Sequence, residues 1–213
     1  MAGPMNAESV VGLVLAGGAG RRLNKHKGLQ LVGGIPIAER VLAALTPVAD
    51  EVVLVGDAAV PGGLRQIADE QPGAGPLAAI HTGMAAATAD IYLVVAWDMP
   101  FVTTALFRHL LAAAVDSDAV VPVVGGQQHP LCAAYRRGCL PAISDAMAAG
   151  ECRVISFFSE IRVRELQDDD LVQLGALDML LFNVNTLEDL AQAERIAGLS
   201  ANSSGADMYD GGR

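Results

Sequence analysis

The apolar run at residues 10–16 (VVGLVLA) constrains the fold of this chain more than any other feature. It has the length of one β-strand and leads directly into the residues GGAG at positions 17–20. Strands of parallel sheets are buried on both faces, so they read as continuous apolar runs. Glycines after such a strand let the backbone turn sharply and approach a ligand closely. The segment therefore predicts a buried parallel strand with a ligand-binding turn at its carboxyl end.

Strand-like and helix-like segments alternate through the rest of the chain. Strands are predicted at residues 51–56, 65–68, 91–97, 119–124, 131–135 and 162–166, and helices at 37–45, 77–88, 104–115, 138–149 and 187–196. This alternation predicts a doubly wound α/β fold, with a mostly parallel sheet, flanking helices and ligands beyond the carboxyl ends of the strands. We expect a single domain over residues 1–200. The polar, glycine-rich residues 201–213 are predicted to be a disordered tail.

Composition and charge exclude several classes of protein. Hydrophobic residues make up 52% of the 213 residues, which excludes a wholly disordered chain. The formal net charge of −10 argues against a nucleic-acid-binding protein. No apolar run reaches the roughly 18–20 residues of a membrane span, and no signal peptide is evident. Cys132, Cys139 and Cys152 form no CxxC pair, so we expect neither a disulfide framework nor a zinc site, and a cytoplasmic location.

Basic residues follow the first glycine turn. Arg22 and Lys27 supply cations that can bind a triphosphate. The turn matches neither GxGxxG nor GxxxxGK[ST], which argues against a dehydrogenase and a P-loop NTPase. Taken alone, the segment is equally consistent with a strand-to-helix turn that carries solvated basic side chains.

Asp98 follows a strand-like run of seven apolar residues and precedes Met99 and Pro100. A carboxylate at the end of a buried strand must be hydrogen-bonded, paired or metal-bound. Mg²⁺ binds proteins through one or two carboxylates together with substrate phosphates. A magnesium site at Asp98 is therefore one prediction, and a cap for the helix that begins near Thr103 is the alternative.

The order of these motifs resembles a known family. Residues 15–27 read LAGG-x3-R-L-x3-K, which is similar to the signature of nucleotidyltransferases with a GT-A-like (nucleotide-diphospho-sugar transferase) fold of Rossmann type. Within them, the chain most resembles the molybdenum cofactor guanylyltransferases, a MobA-like nucleotidyltransferase family. Asn24 and His26 depart from the glycine and aspartate that are usual there. These departures leave a second hypothesis open, that of a nucleotide-binding module without turnover.

Three later segments carry the same resemblance, which extends from about residue 11 to residue 193. Residues 69–80 resemble the D-x2-PG-x-GPL segment of the family, and residues 125–135 resemble its G-x2-HP-x-AL segment. Residues 182–190 (FNVNTLEDL) match FxNxNTPEDL, in which Thr186 and Asp189 also read as the capping box of a last helix. The two asparagines of this segment are predicted to project to one side of an extended strand end.

The resemblance implies an activity and a role for each matching residue. It implies transfer of GMP from GTP to the phosphate of molybdopterin or molybdenum cofactor, with release of pyrophosphate and with Mg²⁺ as cofactor. Nucleotide binding is assigned to Leu15, Ala16, Gly17, Gly18, Lys27, Asp69, Gly75, Pro76 and Asp98, and catalysis to Arg22, Lys27 and Asp98. Acceptor binding is assigned to His129, Arg153, Asn183 and Asn185, and metal binding is assigned to Asp98.

The donor and the partners are less constrained by the residues. Gly18 favours guanine, because cytidylyl relatives tend to read LAAG where this chain reads LAGG. A cytidylyl donor or a sugar-phosphate acceptor stays an alternative. Beyond GTP and the molybdenum cofactor, the resemblance implies molybdenum-insertion or molybdoenzyme-maturation proteins as partners. We expect no binding to nucleic acid or to a membrane.

Overall fold

The computed structural model describes residues 8–17, 27–58, 63–68 and 73–205. Within them, an eight-stranded sheet runs in the order β10-β7-β9-β6-β1-β4-β5, with β8 paired to β7, and β2 and β3 form a separate hairpin. The strands are β1 (Val10–Leu15), β2 (Leu31–Val32), β3 (Ile35–Pro36), β4 (Glu51–Val55), β5 (Arg65–Ile67), β6 (Ile91–Ala96), β7 (Ala119–Val124), β8 (Gln127–Gln128), β9 (Cys132–Arg136) and β10 (Val163–Leu166).

Helices cover both faces of the sheet. The helices are α1 (Ile37–Leu45), α2 (Pro76–Ala86), α3 (Thr104–Ala113), α4 (Leu140–Ala148), α5 (Asp168–Leu171), α6 (Leu177–Leu180) and α7 (Leu187–Gly205). Leu13 packs in the core layer that contains Ile80 of α2. Its neighbour Val14 packs in the opposite layer, which contains Val41 of α1 and Leu106 of α3. Because successive strand residues point to opposite faces, one apolar run supplies both layers, as the doubly wound prediction requires.

The carboxyl ends of the central strands meet at one edge of the sheet. β1 pairs in parallel with β4 and β6, and Leu15 lies in register with both Val55 and Ala96. β9 runs antiparallel to β6 and β7, so β9 begins at the edge where those two strands end. The segments at residues 16–17, 97–98 and 125–131 therefore share this edge, where the sequence predicts ligands.

The sequence predictions of the elements are largely confirmed. The strand at residues 119–124 and the helix at residues 37–45 have their predicted bounds. The antiparallel direction of β9 was not predicted, because apolar periodicity does not encode strand direction. The last helix ends at Gly205 rather than near residue 196, so the first residues of the predicted tail are helical. Residues 206–213 lie outside the described part of the chain.

No helix in the described residues is long and apolar enough to cross a membrane.

Candidate active site

Asp98 lies directly beyond β6, in the middle of the sheet. Its side chain is only 14% exposed, and Oδ2 lies 3.5 Å from Nζ of Lys27. Oδ1 is buried and has no hydrogen-bond partner among the residues that the structure describes. Burial raises the pKa of Asp98, and the opposing effect of the Lys27 charge is smaller. A buried carboxylate with one unsatisfied oxygen is poised to receive a further cation or donor.

Lys27 links Asp98 to the start of the last helix. Its Nζ donates a hydrogen bond of 2.8 Å to Oδ1 of Asn185. Lys27 begins a short 3-10 helix at Lys27–Leu29, and the next residue, Gly28, packs against the indole ring of Trp97. A Cβ at Gly28 would collide with that ring. The glycine therefore lets the Lys27 backbone approach the end of β6, and Trp97 is a core residue, as its sequence context suggests.

Asn185 is held by the capping box of α7. The amides of Asn185 and Thr186 donate to Oδ2 of Asp189 over 2.9 and 2.8 Å, and Oγ1 of Thr186 accepts from the amide of Asp189. Burial acts to raise the pKa of Asp189, but these hydrogen bonds outweigh it and hold the pKa below its usual value. The capping box predicted at Thr186 and Asp189 is therefore confirmed, and it fixes a residue that contacts Lys27.

The two asparagines of this segment have different hydrogen-bond partners. Residues 182–185 are irregular rather than the end of a strand, and the amide of Val184 donates to the backbone oxygen of Asp98 over 2.9 Å. Nδ2 of Asn183 donates to the backbone oxygen of Leu181, within its own turn. The structure therefore brings Asn185, but not Asn183, to Lys27 and Asp98. The alternation of a strand does not apply here, because the backbone is irregular and is held to Asp98 by the hydrogen bond of Val184.

The first turn borders Asp98 on the β1 side. The backbone oxygen of Leu15 accepts from the amide of Trp97 over 3.2 Å, and the amide of Ala16 donates to the oxygen of Val55. Gly17 is exposed, and no atom of the described residues lies within 4 Å of the position that a Cβ would take there. Gly56, which the sequence did not single out, has a φ of +122°, and a Cβ there would lie 2.9 Å from the oxygen of Ala16. Gly56 is thus a further residue that shapes this turn.

Three of the predicted site residues cannot be placed in this site. Gly18, Arg22 and Asp69, together with the departures at Asn24 and His26, lie outside the described residues. Their roles stay predictions.

A groove lies on the other side of Asp98, near the ends of β7, β9 and β10. It has a volume of about 730 Å³, and its lining includes Pro76, Leu131, Arg153 and Glu165. The amide of Ala96 donates to the oxygen of Leu131, which ties the groove to the end of β6. Gly75 packs against the backbone of Cys152 with a φ of +95°. The structure therefore brings Gly75 and Pro76, assigned to the nucleotide, next to Arg153, assigned to the acceptor.

His129 lies beside this groove rather than in the centre. Its backbone amide donates to the oxygen of Pro122 over 2.8 Å, and its neighbours Gln128 and Pro130 both line the groove. Burial lowers the pKa of the half-buried imidazole, so His129 is neutral at pH 7. A neutral imidazole here can exchange hydrogen bonds with a ligand but does not supply a positive charge.

The site suits a metal that substrate phosphates help to hold. In the described part of the chain, no group of three or more His, Cys, Asp and Glu side chains could bind a metal ion. The unsatisfied Oδ1 of Asp98 offers one hard oxygen ligand, which is how Mg²⁺ is bound when phosphates and water complete its shell. All three cysteines are free, and Cys132 and Cys139 are buried.

Comparison with known proteins identifies similar sequences and folds. Residues 12–168 match the model of the MobA-like NTP transferase domain. The chain is 37% identical to a probable molybdenum cofactor guanylyltransferase of Pelotomaculum thermopropionicum, over 87% of this chain and 92% of that protein. It is 29% identical to the molybdenum cofactor guanylyltransferase of Desulfosudis oleivorans, over 88% and 95% of the two chains.

A solved structure supports the same comparison. The fold matches that of molybdopterin-guanine dinucleotide biosynthesis protein A from Archaeoglobus fulgidus with a TM-score of 0.75 and 25% identity, over 89% of this chain and 99% of that one. A cytidylyltransferase from Thermus thermophilus shares the fold at a TM-score of 0.66 and 22% identity, covering 90% of this chain and 100% of that one.

Proposed function

Because the chain belongs to the MobA-like NTP transferase family, we propose that it transfers GMP from GTP to the terminal phosphate of molybdopterin or its metal-loaded form. The products are a guanine dinucleotide cofactor and pyrophosphate. The relatives named molybdenum cofactor guanylyltransferase align with nearly the whole chain. The described site contains the residue types that such a transfer needs, a cation at Lys27 and a carboxylate at Asp98.

The observation that carries the proposal is the position and state of Asp98. It lies beyond the central strand β6, with the β1 turn on one side and the groove that includes Arg153 on the other. A donor bound at the β1 turn and an acceptor bound in the groove would meet beside the unsatisfied Oδ1 of Asp98. This arrangement favours direct transfer between two bound substrates over a covalent enzyme intermediate.

The residues contribute positioning and charge neutralisation. In the proposed reaction, an oxygen of the acceptor phosphate forms a bond to the α-phosphorus of GTP, while the bond from that phosphorus to the β-phosphate oxygen breaks. Lys27 neutralises charge on the triphosphate as pyrophosphate departs, with Arg22 as a second cation. Asp98 would hold Mg²⁺, which supplies Lewis-acid stabilisation of the phosphate oxygens when bound. Asn185 keeps the Lys27 ammonium directed at this position.

Several finer assignments belong to the same proposal. Gly18 and Asp69 would bind the guanosine, and His129, Arg153 and Asn183 would contact the acceptor. We also propose that the protein acts in the cytoplasm, where reduced cysteines are expected, and that it passes its product to molybdoenzyme-maturation proteins.

The proposal is tested by nucleotide titration followed by a transfer assay. Calorimetric titration with GTP, CTP and ATP, each with Mg²⁺, is expected to give selective binding of GTP. Addition of molybdopterin is then expected to cause release of pyrophosphate in proportion to dinucleotide formed. Preference for CTP would reassign the donor, and GTP binding without any pyrophosphate release would favour the binding-module hypothesis.

A further inference from the structure

The groove beside Asp98 carries charges of both signs. Among the described residues that line it, Arg153 is the cation and Glu165 is the carboxylate. The acceptor's phosphate accounts for an arginine, but it does not account for a carboxylate, because two anions repel each other. A part of the ligand that presents hydrogen-bond donors would complement Glu165.

The Glu165 carboxylate is held in place by two amides. Oε1 accepts a hydrogen bond of 2.6 Å from Nε2 of Gln128, and Oε2 accepts one of 3.1 Å from Nε2 of Gln167. A carboxylate has about four acceptor positions, so each oxygen can still accept a bond from a ligand. Glu165 lies on β10, an edge strand, and its side chain is exposed. The result is an oriented acceptor pair that faces solvent rather than a buried structural carboxylate.

The other groove walls are apolar and suit a flat ring. One wall contains Val123 of β7 together with Pro130 and Leu131, which directly precede β9. Another contains Val154 and Ile155, which follow Arg153. Ile155 is 40% exposed, and its chain neighbour Val154 is buried. The groove is open to solvent, and its volume of about 730 Å³ falls within the range of small-molecule sites.

From these contacts we infer that Glu165 recognises the 2-amino and N3–H edge of the pterin ring of the acceptor. This edge presents two adjacent N–H donors, which a carboxylate accepts as a pair in the way it accepts a bidentate arginine. The inference rests on the proposed function, since it concerns the acceptor of that reaction. Glu165 then determines specificity for the ring, whereas Arg153 serves the phosphate.

Guanine carries the same pattern of donors, so the nucleotide base is the other ligand that Glu165 could read. The sheet order favours the pterin. The β1 turn lies on one side of β6, while β9, β7 and β10 lie on the other, with β10 at the far edge. Glu165 is thus on the opposite side of β6 from Leu15 and Gly17, and Pro76 is the only described lining residue that is assigned to the nucleotide.

The test compares ligands that differ only at this edge. The probes are neopterin monophosphate and the matching lumazine, in which a carbonyl oxygen replaces the 2-amino group, and binding is followed by pterin fluorescence. The wild type is expected to prefer the pterin by about tenfold or more, because the lumazine oxygen faces the carboxylate. Glu165→Gln is expected to abolish most of this preference. Glu160→Gln, an exposed glutamate outside the groove lining, is expected to keep it.

A parallel comparison of GTP with ITP, which lacks the 2-amino group, separates the two bases. Glu165→Gln is expected to leave the GTP-to-ITP ratio unchanged. A change in that ratio with an unchanged pterin-to-lumazine ratio would overturn the inference.

Failure of the inference is distinguishable from failure of the proposed function. If the wild type transfers GMP to molybdopterin but binds both probes equally, or neither, Glu165 does not read the ring and the proposed function stands. If neither transfer nor pterin binding is observed, both are wrong. Because each result is a ratio of two ligands on one protein sample, partial misfolding of a variant does not mimic it.

Discussion

At the scale of single residues, Asp98 shows how the site trades stability for binding. Its carboxylate is largely removed from water, its partner Lys27 lies 3.5 Å away, and one oxygen has no partner in the described part of the chain. Such a group costs folding energy when ionised unless a ligand completes it. This loss of folding free energy is expected at a position that binds a cation only together with the substrate.

Asp98→Asn is therefore expected to lower activity and raise stability. The usual pKa of the carboxyl is 3.8 and the folded pKa is higher, so ionised Asp98 penalises the folded state above that folded pKa. Removing the charge should raise the Tm of the ligand-free protein at pH 7. This difference should narrow as the pH falls through the raised folded pKa, and it should be lost below about 3.8. Transfer activity should fall about 100-fold or more, since the metal ligand is lost. Near-normal activity would remove Asp98 from the metal site.

Lys27→Ala is expected to weaken GTP binding. The ammonium lies between Asp98 and Asn185, where it can form an ionic contact with a triphosphate. Loss of one charge-assisted contact should raise the Kd of GTP about tenfold, measured by calorimetry with Mg²⁺. Arg108→Ala, which removes an exposed cation from α3, should leave the Kd unchanged. Equal effects of both variants would show that only net charge matters.

Gly28→Ala is expected to damage both the fold and the site. The added Cβ collides with the indole ring of Trp97, so the Lys27–Leu29 turn must move. Overpacking of this kind costs about 1–3 kcal/mol and displaces Lys27. Thermal unfolding and GTP titration measure the two effects. Gly138→Ala is the matched control, because a Cβ there has no neighbour within 4 Å in the described part of the chain, and it should change neither quantity.

At the scale of elements, the start of α7 joins a structural cap to the site. Asp189→Ala removes the acceptor of the Asn185 and Thr186 amides. We expect a loss of about 1 kcal/mol in unfolding free energy, measured by denaturant titration, because a helix cap is lost. The Kd of GTP should also rise, since Asn185 no longer holds Lys27.

The neighbouring Glu188 provides the control for this prediction. It is an exposed acidic residue in the same first turn of α7. Glu188→Ala should lose only a few tenths of a kcal/mol through the helix dipole and leave GTP binding intact. If Asp189→Ala loses stability but binds GTP normally, the cap has no role in positioning Lys27.

The elements also show what the sequence could predict. Apolar runs and capping signals are local, so the strand at β7, the helix α1 and the cap at Thr186 were predictable. The direction of β9 and the irregular path of residues 182–185 depend on contacts with distant segments, such as the hydrogen bond from Val184 to Asp98. Period-two alternation predicted a strand for the latter segment, and tertiary contacts decided otherwise.

At the scale of the whole molecule, the site is assembled from segments far apart in sequence. Lys27, Asp98 and Asn185 come together, and the residues that carry the family resemblance predicted each of them. Gly28, Gly56 and Glu165 were not predicted, because their roles arise from packing against Trp97, Ala16 and two glutamines. The motifs therefore indicated the charged residues at the centre of the site. The shape of the turn and of the groove could be learned only from the three-dimensional structure.

The acidic molecule binds anions only through local positive charge. The net charge is −10, yet both proposed substrates are phosphates. Lys27 faces the centre and Arg153 lines the groove, so the cations lie where phosphates would be. Fields in a cleft act over a distance of about 10 Å at moderate salt, which makes their position more important than the net charge.

The most direct test of the account is a single-turnover transfer with product analysis by mass spectrometry. Wild-type protein with GTP, Mg²⁺ and molybdopterin should yield the guanine dinucleotide and an equal amount of pyrophosphate, and Asp98→Asn should form both about 100-fold more slowly or worse. A cytosine dinucleotide formed in preference from mixed GTP and CTP, or pyrophosphate released without molybdopterin, would contradict the proposed guanylyl transfer.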